Sequence, residues 1–388
     1  MLFEQDENKV AIREGVKAVC NQFPDAYWRA RDEDGKFPEE FHRAMAEGGW
    51  LGMTLPEEFG GSNLGVAEAA MMMHAVGNSG GGMAAASTIQ INLFGPHPIL
   101  LFGTDDQKKR WIPDLVAGKQ KVAFGVTEPN SGLDTSSITT FAEKVDGGYR
   151  VSGNKIWTTT GQVATKIMLL CRTVKREDCA KRSDGITLFY TDFDRSKLEV
   201  KRIPKMGRKA VDSNMVFIDD LFVPDEDLIG EEGKGFRYIL TAMNAERVII
   251  GSVAVGLGMD ALQRAANYAK ERKVFGRLIG MNQGIQHPLA ENWMKLEAAW
   301  LMCQKAAMLY DEGKNCGAEA NAAKFLGAQA GYEAAERAVL THGGMGYAKE
   351  YNVERLFRES MIMRIAPVTE QMIMCFIGEH VLGMPKSY

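Results

Sequence analysis

Apolar residues recur at helical intervals at both ends of the chain and crowd into short β-branched runs between them. Near the start, Phe3, Val10, Val16 and Val19 have helix-like spacing, and Thr104-Asp-Asp-Gln107 is a capping-box pattern ahead of Trp111-Ile-Pro. The small-residue run GNSGGGMAAAS at 77–87 stands apart. It suits either close helix contact or space for a ligand. From Lys121 to about Leu228 the texture changes to AFGVTE, YRVSGNKIWTTT, KIMLLCR, GITLFYTDF and SNMVFIDDLFVP, separated by turns such as Asp146-Gly-Gly and Ser183-Asp-Gly. After Gly230 the helical period returns over 235–272, 283–312, 318–341, 352–362 and 368–382. This order predicts an α+β chain of three parts. They are an N-terminal helical domain over 1–120, a middle antiparallel β domain over 121–228, and a C-terminal domain like a four-helix bundle over 229–388.

Composition narrows the possible functions. The formal charge of −4 lacks the basic excess of a nucleic-acid partner. Six cysteines at irregular spacing and six scattered histidines form neither CxxC nor HExxH, which disfavours a disulfide framework and a metal site. The acidic, amphipathic start is neither a signal nor a transit peptide, and the apolar run 248–262 is short for a membrane span and carries Asp260. The expectation is a cytoplasmic protein with no membrane partner.

The chemistry-bearing stretch is Phe124-Gly-Val-Thr-Glu-Pro-Asn-Ser-Gly-Leu-Asp134, a strand running into a glycine-containing loop. Such a loop exposes backbone N–H groups to a planar ligand, although in isolation a plain β-turn is the commoner explanation. Four further stretches follow in order: Trp157-Thr-Thr159, Arg272-Lys-Val-Phe-Gly276, Gln283, and His342-Gly-Gly-Met-Gly-Tyr347 with Glu354, Arg355 and Arg358. Together with the helix–β–helix plan, these stretches resemble the acyl-CoA dehydrogenase superfamily across the whole chain.

The resemblance implies the fold of that superfamily, bound FAD, and removal of an α proton and a β hydride from an acyl-CoA to leave a trans-2-enoyl-CoA. It implies that Phe124, Val126, Thr127, Gly132, Leu133, Trp157, Thr158 and Thr159 surround the flavin, with Thr159 near N5, the hydride acceptor. Arg272, Phe275 and Gln283 would reach the flavin nucleotide of a neighbouring subunit, with Gly343 and Gly344 giving it backbone room. Thr369 and Gln371 would contact FAD near a helix start. A dimer or tetramer follows, as does transfer of electrons to an electron-transfer flavoprotein. Without the resemblance, Trp157 reads as a core aromatic and Arg272 as a surface charge.

The sequence departs from the family pattern at several positions. Leu133 stands where a Ser or Thr assists the CoA arm, Leu340 replaces a Gln, and Val274 a Thr or Ser. The largest departure is in IAPVTEQ at 365–371, where many members carry the catalytic Glu and this chain has Pro367. Proline has no proton to exchange, and its expected place is the first turn of a helix. A branch including isovaleryl- and long-chain acyl-CoA dehydrogenases holds the base before an Arg on another helix, which is Glu246 in Met243-Asn-Ala-Glu-Arg247. Glu246 is therefore expected to be the base, with a pKa raised by burial toward about 6–7. Asn244 and Arg247 are expected beside the substrate. Glu370 is the rival carboxylate, and a Glu–Arg pair that merely joins helices is the plain alternative. The alternative activity is a flavin oxidase or monooxygenase of the same fold acting on a substrate without CoA.

Overall fold

The structure is a computed structural model that describes residues 7–387, so Phe3 lies outside the described residues. Among the described residues, seven α-helices form the first part: α1 (Glu7–Cys20), α2 (Asp25–Asp34), α3 (Glu39–Glu47), α4 (Val66–Gly77), α5 (Gly82–Phe94), α6 (His97–Phe102) and α7 (Asp105–Val116). The capping box forms as the sequence predicts. Gln107 N donates to Thr104 Oγ1 at 3.2 Å, and Thr104 N donates to Gln107 Oε1 at 2.9 Å. Two of the orphan donors at the start of α7 are thereby satisfied.

A seven-stranded sheet follows: β1 (Val122–Gly125), β2 (Phe141–Val145), β3 (Gly148–Thr159), β4 (Lys166–Arg172), β5 (Ile186–Asp192), β6 (Leu198–Arg202) and β7 (Ser213–Pro224). Its order is β1-β4-β2-β3-β7-β6, with β5 also paired to β4. The antiparallel expectation holds for most pairs, but β1 runs parallel to β4, as does the single β2–β4 pairing. The long connection that parallel β1–β4 pairing requires is residues 126–165, which include the β2–β3 hairpin. Its first part, between β1 and β2, carries the glycine loop.

Helices then return as α8 (Gly235–Thr241), α9 (Met243–Glu271), α10 (Gln283–Asp311), α11 (Gly317–His342), α12 (Val353–Ile365) and α13 (Glu370–His380), with a hairpin of β8 (Lys273–Val274) and β9 (Arg277–Leu278) after α9. The expected single helix over 235–272 is interrupted at Ala242, which places Glu246 in the first turn of α9. The expected helix at 368 begins at Glu370, because Thr369 caps it by accepting from Met372 N at 3.3 Å. Pro367 therefore precedes the cap and does not occupy the first turn.

The largest core joins α1, α4 and α5 to α9, α10, α11 and α12. Glycines set how closely α4 and α9 approach. A Cβ on Gly77 would lie 2.5 Å from the Val253 carbonyl oxygen, and one on Gly256 2.1 Å from that of His74. Part of the 77–87 run thus serves close contact, while Met83 and Ser87 line a cavity. Among the described residues, two stretches, 235–271 and 353–380, are long and apolar enough to cross a membrane. The first is mostly buried in the bundle, and the second is broken between α12 and α13.

Candidate active site

A cavity of about 560 Å³ opens where α5, the β1 loop, β3, the β6–β7 connection, α9 and α12 meet. Its volume falls within the range of small-molecule sites, roughly 300–1,000 Å³. β1 and its loop contribute Phe124, Val126, Thr127, Gly132 and Leu133; β3 contributes Ile156, Trp157 and Thr159; α9 contributes Glu246 and Ile250. Pro367 and Thr369 line it from the α12–α13 connection.

A buried ion pair fixes the loop after β1. Lys155 Nζ donates to Glu128 Oε1 at 2.9 Å and to the Val126 carbonyl at 3.2 Å. Glu128 also accepts from Thr139 N at 2.7 Å and Thr140 N at 2.9 Å. Burial would raise its pKa, but the Lys155 charge and these hydrogen bonds outweigh that and hold it at about 2. On β3, the register shifts between Lys155 and Thr158, and Trp157 adopts φ +60° at the irregularity. The result is a tryptophan 56% exposed on the cavity wall, beside Leu133 at 62%. Trp157 is therefore not the core aromatic that its strand setting suggested.

Glu246 is 7% exposed, and its carboxylate makes no hydrogen bond or ion pair with the described residues. Desolvation pushes its pKa up to about 7, with Arg247 pulling weakly the other way. Arg247 donates instead to Asn244 Oδ1 at 2.8 Å, and neither residue lines the cavity, in contrast to their expected place beside a substrate. Glu370 is held by Arg364, whose Nε donates to it at 2.7 Å, and this pairing lowers its pKa. The rival carboxylate is thus engaged outside the cavity.

Other expected residues also fall elsewhere. Thr158 is fully buried outside the lining, because the residues on either side of it, Trp157 and Thr159, take the cavity wall. Gln371 is exposed on α13. Arg272, Phe275, Gln283, Gly343 and Gly344 are all exposed and away from this cavity, and Phe275 is 100% exposed at the tip of the β8–β9 hairpin. A Cβ on Gly343 or Gly344 would meet nothing within 4 Å, so backbone there is open to a ligand. Sequence reasoning missed Ser87, Gln90, Lys205, Arg208 and Ile250 on the cavity wall. The local signals were the small-residue run that ends at Ser87 and the two cations in Lys205-Met-Gly-Arg208 between strand runs.

The residues present fit a flavin. Exposed Trp157 and Leu133 with Phe124 and Val126 offer apolar surface for a planar ring, and the Thr127 and Thr159 hydroxyls offer polar partners for its edge. Comparison with known proteins agrees. The profiles "Acyl-CoA dehydrogenase, N-terminal domain", "middle domain" and "C-terminal domain" match residues 6–119, 123–221 and 233–382. Acyl-CoA dehydrogenase FadE12 of Mycobacterium tuberculosis is 32% identical over 395 residues, covering 100% of this chain and 99% of the relative. The caffeyl-CoA reductase-Etf complex subunit CarC of Acetobacterium woodii is 33% identical over 341 residues, covering 88% of this chain and 89% of the relative. The structure of butyryl-CoA dehydrogenase from Megasphaera elsdenii superimposes with a TM-score of 0.91 at 29% identity, over 98% of this chain and 100% of that one.

Proposed function

Because the chain belongs to the acyl-CoA dehydrogenase family, whose members are FAD-binding oxidoreductases, we propose that it desaturates an acyl-CoA between Cα and Cβ with Glu246 as base. Bound FAD would supply the acceptor for the β hydride, and an electron-transfer flavoprotein would take up the electrons. The observation that carries this reading is the unpaired Glu246 carboxylate on the cavity wall, with a pKa of about 7.

The α proton of a thioester is weakly acidic, so the base must be strong enough to take it and still be ionised near neutrality. Burial meets both needs, because it raises basicity without pairing the carboxylate to a cation. Proton removal shifts charge to the thioester oxygen, and Pro367 has no N–H to hold it. Either a neighbouring amide such as that of Val368 supplies the bond instead, or the oxyanion is held more weakly. Phe124, Val126, Trp157 and Leu133 offer apolar surface to the ring, and Thr127 and Thr159 orient it. Arg272, Phe275 and Gln283 are proposed to reach the nucleotide half of a cofactor in a neighbouring copy, so that the working unit is a dimer or tetramer.

Leu133 and Pro367 favour a second reading, a flavin oxidase or monooxygenase acting without CoA. Anaerobic titration of the flavin-loaded protein with a panel of acyl-CoAs separates the two. Bleaching by a CoA thioester is expected. No bleaching by any of them, with rapid reoxidation of the reduced flavin by oxygen, would establish the second reading.

A further inference from the structure

Two cations in the connection between β6 and β7 face the same cavity as Glu246 and have no carboxylate of their own. Arg208, at φ +55°, donates from Nη1 to Ser87 Oγ and from Nη2 to Ser213 Oγ, both at 3.1 Å. Lys205 Nζ donates to Ser213 Oγ at 3.0 Å and to the Val211 carbonyl. Among the described residues neither cation forms an ion pair within 4.0 Å. The carboxylates that act on Arg208 through space are Glu359 and Asp212. Glu359 is already engaged by Arg355 Nη1 at 2.8 Å and Ala84 N at 2.9 Å. Asp212 accepts from Gln162 N at 3.1 Å and from Asn214 Nδ2.

A guanidinium carries five N–H donors, so two bonds to neutral hydroxyls leave three donors over, and a partly desolvated cation without a counter-charge is costly. Burial beside Arg208 pushes Lys205 down to about 6. Arg208 thus carries the fixed charge, and an arriving anion would reprotonate Lys205. The wall around them includes Met83, Ile91, Phe94 and Ile250, an apolar lining suited to methylene groups.

We propose that the acyl group entering this cavity ends in a carboxylate bound by Arg208 and Lys205, so that the substrate is the CoA monothioester of a dicarboxylic acid. Ser87 and Ser213 orient the two cations. This inference rests on the dehydrogenase reading above and specifies its substrate class. Paired Arg–carboxylate geometry is bidentate and strong, which makes the terminal carboxylate an anchor for discrimination as well as affinity.

The test is anaerobic flavin reduction by the holoenzyme with linear acyl-CoAs and their ω-carboxy counterparts of matched length. At the best length, the carboxylated substrate is expected to lead in kcat/KM by about tenfold to a hundredfold, the worth of hydrogen bonds to a charged group. R208M is expected to cut that ratio by a similar factor, and R208K to restore part of it. Higher kcat/KM for neutral acyl-CoAs at every length, or the same ratio in R208M, would overturn the proposal. R208M protein isolated without flavin would also overturn it, since Arg208 would then serve the cofactor. If R208M does not fold, the wild-type ratio and R208K decide. Bleaching by neutral substrates alone sinks only this inference, whereas no bleaching by either series sinks the dehydrogenase reading with it.

Discussion

Lys155 and Glu128 meet at 2.9 Å with their side chains 0% and 4% exposed, and together they tie β3 to the loop that shapes the cavity. Lys155→Met leaves a buried carboxylate without its cation, which is expected to cost about 3–5 kcal/mol and to release the flavin. The double variant E128Q/K155M is expected to recover much of that stability, measured by denaturant unfolding. In the native protein Glu128 titrates at about 2, below its ordinary 4.5. Its contribution is therefore complete above pH 4.5 and is lost as pH falls through about 2.

Glu246→Gln should slow anaerobic flavin reduction by about 10²–10⁴, the usual worth of a positioned base, while absorbance shows FAD still bound. Wild-type reduction at low substrate should rise with pH through about 7, where the base ionises. Wild-type bleaching rates in E246Q would end the assignment of Glu246.

The same residue makes an opposite prediction for stability. Its folded-state pKa of about 7 lies above the ordinary 4.5, so between those values the native state holds a proton that the unfolded chain releases. Stability should fall as pH rises through this window, by roughly 3 kcal/mol in total. E246Q cannot titrate, so its Tm relative to wild type should be higher at about pH 8 than at about pH 5. An equal offset at both pH values would show that Glu246 is not desolvated.

Gly77→Ala places a methyl against the Val253 carbonyl, 2.5 Å away, in the contact between α4 and α9. Overpacking of this kind costs about 1–3 kcal/mol, since backbone rather than a flexible side chain must yield. A chemical-denaturation midpoint equal to wild type would contradict the close-contact reading of this part of the glycine run.

Local patterns in the sequence were sufficient for the three-part helix–β–helix plan and the Thr104–Gln107 box. Each depends on residues near one another in the chain. Resemblance at matched positions located Phe124, Val126, Thr127, Leu133, Trp157 and Thr159, all of which do line the cavity. What escaped depends on distant partners. The β1–β4 pairing joins segments separated by two strands, and Arg208 finds Ser87 across 121 positions. The Arg247–Asn244 bond shows the same limit at short range, because a neighbour along the helix takes up Nη1 of a cation that the sequence suggested for substrate, while its buried Nε is left without a partner. The start of α13 was misplaced because proline is at home in a first turn, but Thr369 supplies a better cap.

Trp157 sits in left-handed backbone, a conformation that costs a non-glycine residue about 1–3 kcal/mol. Selection for heat resistance alone would favour replacing it with glycine, relieving the turn and removing an exposed indole in one step. The ring shelf would vanish with it. Thermal robustness and activity thus pull against each other at this position, and a library screened only for melting temperature is expected to select against the tryptophan.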